Sequence, residues 1–232
     1  MPRANRHRLA GHVWHITERC HRKQFLLKFA RDRRAWVRWL YESRKRFGLS
    51  VLNYQVTCNH VHLLVQDRGT GEIERSMQLI AGCTGQAYNR RKRRRGAFWE
   101  DCYHATAVDT EEYLARCLVY IDLNMVRAGV VHHPGEWVEC GYREIQRPPD
   151  RYRIVDRRTL CELLGVADER LAAVQNEWIE SRLARGNLER EVQWSETVAV
   201  GHRSFVERVQ GELGARAIPA CGRNGRRVGP AR

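Results

Sequence analysis

No stretch of this 232-residue sequence approaches the length of apolar run that crosses a membrane, so the pattern excludes a membrane-spanning helix. The opening residues, Met1-Pro2-Arg3-Ala4-Asn5-Arg6-His7-Arg8, lack the apolar core of a secretory leader. Eight cysteines are present (Cys20, Cys58, Cys83, Cys102, Cys117, Cys140, Cys161 and Cys221), yet none forms a Cys-x-x-Cys pair, which argues against a zinc ribbon. Scattered in this way they read as reduced, mostly buried thiols of a cytoplasmic chain. His132-His133 with Cys140 match no specific zinc spacing. Acidic side chains are scarce, 27 against 41 Lys and Arg, giving a formal net charge of +14. An excess of this size points to nucleic acid first and to an anionic membrane second. Arginine predominates, and its planar fork suits phosphate.

What is present is a chain that is 43% hydrophobic, enough for one ordinary domain with an extension. Residues 1–11 read as a basic arm. His12-Val13-Trp14-His15-Ile16-Thr17 alternates and predicts a strand over residues 12–19, with His15 an ordinary strand histidine or part of a polar face. A helix is predicted from Asp32 to Phe47, with Val37, Leu40, Tyr41 and Phe47 buried and Gly48 as its stop. Two strands follow, over 50–57 and 60–66, joined tightly at Cys58-Asn59. After Gly69-Thr70-Gly71 a second helix starts at Glu72, with Ile73, Met77, Ile80, Thr84 and Tyr88 at helical spacing. It ends in the run Arg90-Arg91-Lys92-Arg93-Arg94-Arg95, either a solvated helix end or a contact to a phosphate backbone. Phe98-Trp99 beside it either stack unpaired bases or belong to the core. Cys102–Val108 predicts a fourth strand. The order is the βαββαβ of a ferredoxin-like α+β fold, whose antiparallel sheet places its first and third strands centrally.

Asn59-His60-Val61-His62-Leu63-Leu64-Val65 lies on that third strand. Alternation points His60 and His62 to one face and Val61, Leu63 and Val65 to the other. Two adjacent imidazoles make half a metal site, or a locally hydrogen-bonded pair. The next helix is capped by Asp109-Thr110, runs to Ala128 and stops at Gly129. Leu114, Leu118, Ile121 and Met125 form its apolar stripe; Tyr113, Arg116, Cys117, Tyr120, Asn124 and Arg127 share another face. Tyr120 and Asn124 stand one turn apart and can converge on one point. Two imidazoles with the Asn124 amide oxygen leave positions open for phosphate and suit Mg²⁺ or Mn²⁺. A tyrosine hydroxyl beside such a metal is a nucleophile for phosphodiester cleavage; the plain alternative is a packed aromatic.

His60-Val61-His62 resembles the motif of the HUH single-strand nucleases, and Tyr120-Ile121-Asp122-Leu123-Asn124-Met125-Val126-Arg127-Ala128-Gly129 resembles the nucleophile helix of single-tyrosine transposases. Gly11–Arg19 and Phe98-Trp99-Glu100-Asp101 add to the likeness, which spans residues 8–145 and is nearest to the REP-associated tyrosine transposases. That resemblance implies His60, His62 and Asn124 as metal ligands and Tyr120 as nucleophile. It implies a divalent metal, Mg²⁺ or Mn²⁺, and cleavage and joining of single-stranded DNA at REP-like hairpins through a 5′-phosphotyrosine. It implies a bacterial, nucleoid-associated protein, monomeric or homodimeric. Arg116 and Arg127 are candidates to neutralise phosphate; the basic arm, residues 90–95, Tyr103 and His104 are candidate DNA contacts. Many relatives carry proline after the asparagine; Met125 here predicts a helix that runs on smoothly.

The transposase domain is expected over residues 12–147, with a boundary at Pro148-Pro149-Asp150. Residues 150–217 predict a helical extension, with helices at 159–164, 168–184 and 204–213, and residues 218–232 a disordered tail. Two rival readings are a non-catalytic hairpin-binding module with a vestigial site and a nickase of replication or conjugation.

Overall fold

The structure is a computed structural model that describes residues 9–186 and 188–216. The basic arm is therefore described only from Leu9 onward, and the 218–232 tail lies outside the described residues. Leu9 is buried, and Gly11 N–H donates to the Asp67 carbonyl at 2.8 Å.

The predicted βαββαβ order is present: β1 Val13–Arg19, α1 Ala30–Phe47, β2 Ser50–Val56, β3 His60–Gln66, α2 Glu72–Lys92 and β4 His104–Val108. After it come α3 Glu112–Asp122, α4 Asn124–Arg127, α5 Gly141–Gln146, α6 Arg157–Leu164, α7 Asp168–Ala184, α8 Gln193–Glu196, β5 Ala199–Val200 and α9 Arg203–Arg216. The sheet order is β2-β3-β1-β4-β5, so β1 and β3 are central as expected. Strand β5, parallel to β4, is an addition that the sequence pattern did not show.

Helix α1 stops at Gly48, which takes φ 72° and returns its N–H to the Arg44 carbonyl, a left-handed cap that glycine adopts without a Cβ clash. Its buried side differs from expectation. Trp36, Leu40 and Ser43 face the core with Asp32 and Arg33, whereas Val37, Tyr41 and Phe47 are half-buried. Polar anchors turn the helix: Arg33 Nε bonds Glu139 Oε2 at 2.8 Å, and Asp32 pairs with Arg91 of α2. Along α2 the predicted Ile73, Met77, Ile80 and Thr84 are buried. Phe98 is core, its ring 5.0 Å from Tyr88, so it is not free to stack on a base; Trp99 is half-buried, and its Nε1 donates to the Ala81 carbonyl at 3.1 Å.

The helix predicted over 109–128 is not continuous. It starts at Glu112, after Glu111 at φ 55°, and is interrupted at Leu123. Asp109 does not cap it but accepts from the His202 N–H at 3.1 Å and bonds its ring at 3.0 Å, tying β4 to the start of α9.

An open sheet exposes unpaired backbone groups at its two edges. Later segments cover both. Beside β2, Asp156 N–H donates to the Val51 carbonyl at 2.7 Å and Val56 N–H to the Glu139 carbonyl at 3.0 Å. Beside β4, Ala107 N–H donates to Val198 at 2.8 Å and Asp109 N–H to Val200 at 2.9 Å. Leu160, Leu171, Trp194, Phe205 and Val209 join the same core as the sheet. Among the described residues no helix is long and apolar enough to cross a membrane.

The loop entering α2 is held by Glu72, whose buried carboxylate accepts from Arg68 N–H at 2.6 Å, Thr70 N–H at 3.0 Å and Thr70 Oγ1 at 2.8 Å. Burial alone would raise its pKa, but these bonds outweigh it and hold the carboxyl below its ordinary 4.5. A depressed folded-state value means that Glu72 stabilises the fold fully above the unfolded carboxylate pKa and stops doing so as pH falls through the folded one. Glu72→Gln should therefore be less stable than wild type at neutral pH, with the gap closing below about pH 4. Urea unfolding across pH checks this; a gap that persists unchanged in acid contradicts it.

Candidate active site

β1 pairs with β3 in a register that sets Arg19 beside His60 and Thr17 beside His62. Alternation then places His15, Thr17 and Arg19 on the face that carries both histidines. α3 and α4 bring Tyr120 and Asn124 to this face. Asn124 Nδ2 is 3.0 Å from His62 Nε2. The Tyr120 ring stands 5.9 Å from that of His62 and 6.1 Å from that of His15, nearly perpendicular to both.

Between Tyr120 and Asn124, Asp122 points the other way and is fully buried. It accepts from Asn53 Nδ2 of β2 at 2.9 Å and from Gln175 Nε2 of α7 at 2.8 Å. Burial pushes this carboxyl up to about 7, against the pull of the two amide donors. One carboxyl thus fixes the end of the tyrosine helix to the sheet and to α7. The interruption at Leu123 has a visible partner: Arg127 Nη2 donates to the Tyr120 carbonyl at 2.7 Å, the oxygen that an unbroken helix would offer to Asn124. The same guanidinium lies 4.1 Å from the Tyr120 ring centre. Burial raises the Tyr120 phenol above its ordinary value, while Arg127 and Arg190 pull it back.

The protonation of His60 can be read from its neighbours. Asn59 Nδ2 donates to the Lys23 carbonyl at 3.2 Å, which turns Asn59 Oδ1 toward His60 Nδ1 at 2.7 Å. Thr57 Oγ1 gives its proton to the His60 carbonyl at 2.7 Å and is also 2.9 Å from Nδ1. Both oxygens accept, so Nδ1 carries the proton and Nε2 the lone pair. Burial, then the charges of Arg19, Arg190 and Arg127, lower the His60 pKa to about 4. His62 is lowered for the same first reason, with His60 and His15 adding to it. Neutral imidazoles with open nitrogens are the form that binds a metal.

These groups line an open cleft of about 810 Å³, whose walls also carry Arg19, Lys23, His104, Arg127 and Arg190 together with the acids Glu100, Glu189 and Glu196. His60, His62, Tyr120, Asn124 and Arg127 are thus brought together, and the predicted contact His104 lines the same cleft; Tyr103, Arg116 and the run 90–95 do not line it. None of Arg90, Arg91, Lys92, Arg93, Arg94 and Arg95 lines this cleft. Arg90, Lys92, Arg93 and Arg95 are exposed, whereas Arg91 pairs with Asp32 and Arg94 bonds Asn89 at 3.1 Å. Arg116 lies in a neighbouring groove and pairs with Glu191 at 3.6 Å. Sequence reasoning assigned no role to Arg19, Glu18 or Arg190. The alternation of β1 with the histidine strand was a signal for Arg19; nothing local marks Arg190. Glu18 also lines the cleft; one of its carboxylate oxygens has no partner among the described residues, and burial pushes the group up to about 8.

The sequence model of the family described as "Transposase IS200 like" matches residues 9–124. The chain belongs to the IS200-like transposase family. The match ends at Asn124, so the histidine pair, the tyrosine and the asparagine all fall inside it, while Arg127 and everything that closes the sheet edges lie beyond it. Among solved structures, a REP-associated tyrosine transposase bound to a REP hairpin superposes with a TM-score of 0.54 at 16% identity, over 67% of this chain and 94% of that one. At that identity the likeness is one of fold. A search of curated proteins found no significant match.

Gly141 approaches the Asp122 anchor so closely that an added Cβ would lie 2.2 Å from Asn53 Oδ1 and 3.0 Å from Tyr54 N. Gly141→Ala must displace Asn53, and the overpacking should cost about 1–3 kcal/mol. In an Asn53→Ala background that cost should shrink, because the group in the way is gone. Denaturant unfolding of the four proteins in this cycle measures the difference; equal costs in both backgrounds contradict the coupling.

Proposed function

We propose that this transposase is a metal-dependent single-strand DNA endonuclease and strand transferase acting on REP-type hairpins through a 5′-phosphotyrosine at Tyr120. The observation that carries the reading is the convergence of Tyr120 and Asn124 on the His62 imidazole, with His60 beside it. Among the described residues no group of three or more His, Cys, Asp and Glu is placed to hold a metal, so two imidazoles need a donor of another kind. The Asn124 amide, whose Nδ2 now faces His62 Nε2, would supply it by turning its oxygen inward: that oxygen is a hard donor, and with two nitrogen ligands it would suit Mg²⁺ or Mn²⁺. A divalent cation there supplies positive charge to a phosphate oxygen and eases ionisation of an attacking hydroxyl.

Tyr120 Oη attacks the phosphorus of the scissile linkage and gives its proton to solvent in the open cleft. The bond from phosphorus to the 3′ oxygen breaks, and that oxygen takes up a proton to leave as a 3′ hydroxyl. The 5′ phosphate stays on Tyr120. Attack by the same or another 3′ hydroxyl reverses these changes and rejoins or transfers the strand; the bond energy is conserved, so no nucleotide cofactor is consumed. Arg127, stacked over the ring, offsets negative charge as the phenol ionises. Arg19 and Arg190 stand ready for phosphate oxygens of the bound strand. The REP hairpin of the structural neighbour and the net charge of +14 favour a hairpin as partner.

Incubation with a REP-type hairpin oligonucleotide and Mn²⁺ should yield a denaturation-resistant protein–DNA adduct that Tyr120→Phe abolishes. Lack of that adduct in wild type sinks the covalent mechanism. Hairpin binding indifferent to chelator, without cleavage products, would instead favour the non-catalytic binding module. If the run 90–95 follows the phosphate backbone, Arg93→Ala and Arg95→Ala should each weaken binding alike for all hairpin sequences and lower the salt slope by about one. Affinity measured across salt decides; an unchanged slope assigns the run to solvent.

A further inference from the structure

The Trp194 carbonyl, beyond the family match, reaches the histidine layer. His15 is fully buried on β1, and its ring lies edge to edge with that of His62, centres 5.1 Å apart and planes 10° apart. His15 Nδ1 lies 2.8 Å from the Trp194 carbonyl, and His15 Nε2 lies 2.9 Å from His62 Nδ1. A carbonyl oxygen only accepts, so His15 Nδ1 carries a proton. A buried imidazole whose ring contacts are a carbonyl, another imidazole and a phenol ring is neutral, because burial disfavours a charge without a counter-charge. Its Nε2 is therefore a lone pair and accepts. The proton in the 2.9 Å contact then belongs to His62 Nδ1. The lone pair of His62 is left on Nε2, the nitrogen that faces Asn124 at 3.0 Å.

We propose that His15 is a positioning residue that, with the Trp194 carbonyl as its fixed end, locks His62 in the Nδ1–H tautomer and so keeps Nε2 open for a divalent cation. The proposal rests on the reading of His62 as a metal ligand. Histidine ligands commonly pass their second N–H to a carboxylate or carbonyl, which fixes ring and tautomer. Here another imidazole takes that place and hands the constraint on across 179 residues of sequence. The fixed end is well held: the Trp194 side chain is fully buried, and its Nε1 donates to Glu191 at 3.1 Å. His60 reaches the same tautomer by its own local acceptors, Asn59 and Thr57, so the two rings present matching nitrogens by unrelated means.

The test uses the full chain without metal and then with Mn²⁺ alone. His15→Phe keeps a flat ring and removes the acceptor, while His15→Gln returns a carbonyl oxygen near the position of Nε2. Imidazole ¹⁵N spectra should show His62 as Nδ1–H in wild type and His15→Gln, and as a mixture or Nε2–H in His15→Phe. Mn²⁺ affinity should fall about 10–100-fold in His15→Phe and largely recover in His15→Gln. If His15→Phe does not fold, His15→Met fills a similar space without an imidazole acceptor and takes its place. A His62 ring that stays Nδ1–H without the acceptor, or Mn²⁺ affinity that does not move, overturns the relay. If wild type shows no Mn²⁺ binding that His62→Ala removes, the ligand reading itself fails, and with it the purpose assigned to His15, whatever the tautomer spectra show.

Discussion

The carboxyl of Asp122 is the constraint on which the site depends. A helix that carries a nucleophile and a ligand one turn apart is useful only if it meets the histidine strand at the right height and rotation. Asp122 sets both, because it sits between those residues in sequence and bonds Asn53 on the sheet and Gln175 on α7. A buried polar network of this kind is costly unless every member is satisfied, and here both carboxylate oxygens have a donor. Gly141 belongs to the same device, since only a residue without a side chain lets its backbone pass Asn53.

Charge is arranged in two separate places. The cleft holds Arg19, Lys23, Arg127 and Arg190 near the histidines, and the three arginines also help keep the His60 imidazole neutral. The run at 90–95 stands away from the cleft, on the end of α2. A duplex stem and a single strand make different demands. The first needs a broad field along the phosphate backbone; the second needs a few cations around one linkage.

Much of the framework was legible because it rests on local rules. Alternation located β1 and β3, and left-handed glycine located the end of α1. The shared face of His60 and His62 and the single turn between Tyr120 and Asn124 follow from the periods of strand and helix. What escaped depends on distant partners. Asp32 and Arg33 face inward on α1 because Arg91 and Glu139 wait for them, and no window of sequence contains both ends of such a pair. The interruption at Leu123 occurs among ordinary helix formers, where Arg127 takes the Tyr120 carbonyl. Strand β5 has two residues, too few for any period to show. His15 looked like any strand histidine because its partner Trp194 lies in another part of the chain.

The covered edges of the sheet bear on the order in which the molecule comes together. β4 gains its outer neighbour from residues 198–200, and β2 gains its neighbours from 139–140 and 155–156. A nascent chain that has emerged only as far as Asn124 contains the histidines, the tyrosine and the asparagine of the proposed centre, yet it lacks Arg127 and Arg190, has two bare edges and no Trp194 carbonyl. Such long-range closure is slow and leaves sticky strand edges in the meantime. A finished cleft is therefore a late event in the life of each molecule, and an incomplete chain is a candidate for aggregation or degradation before it can meet DNA.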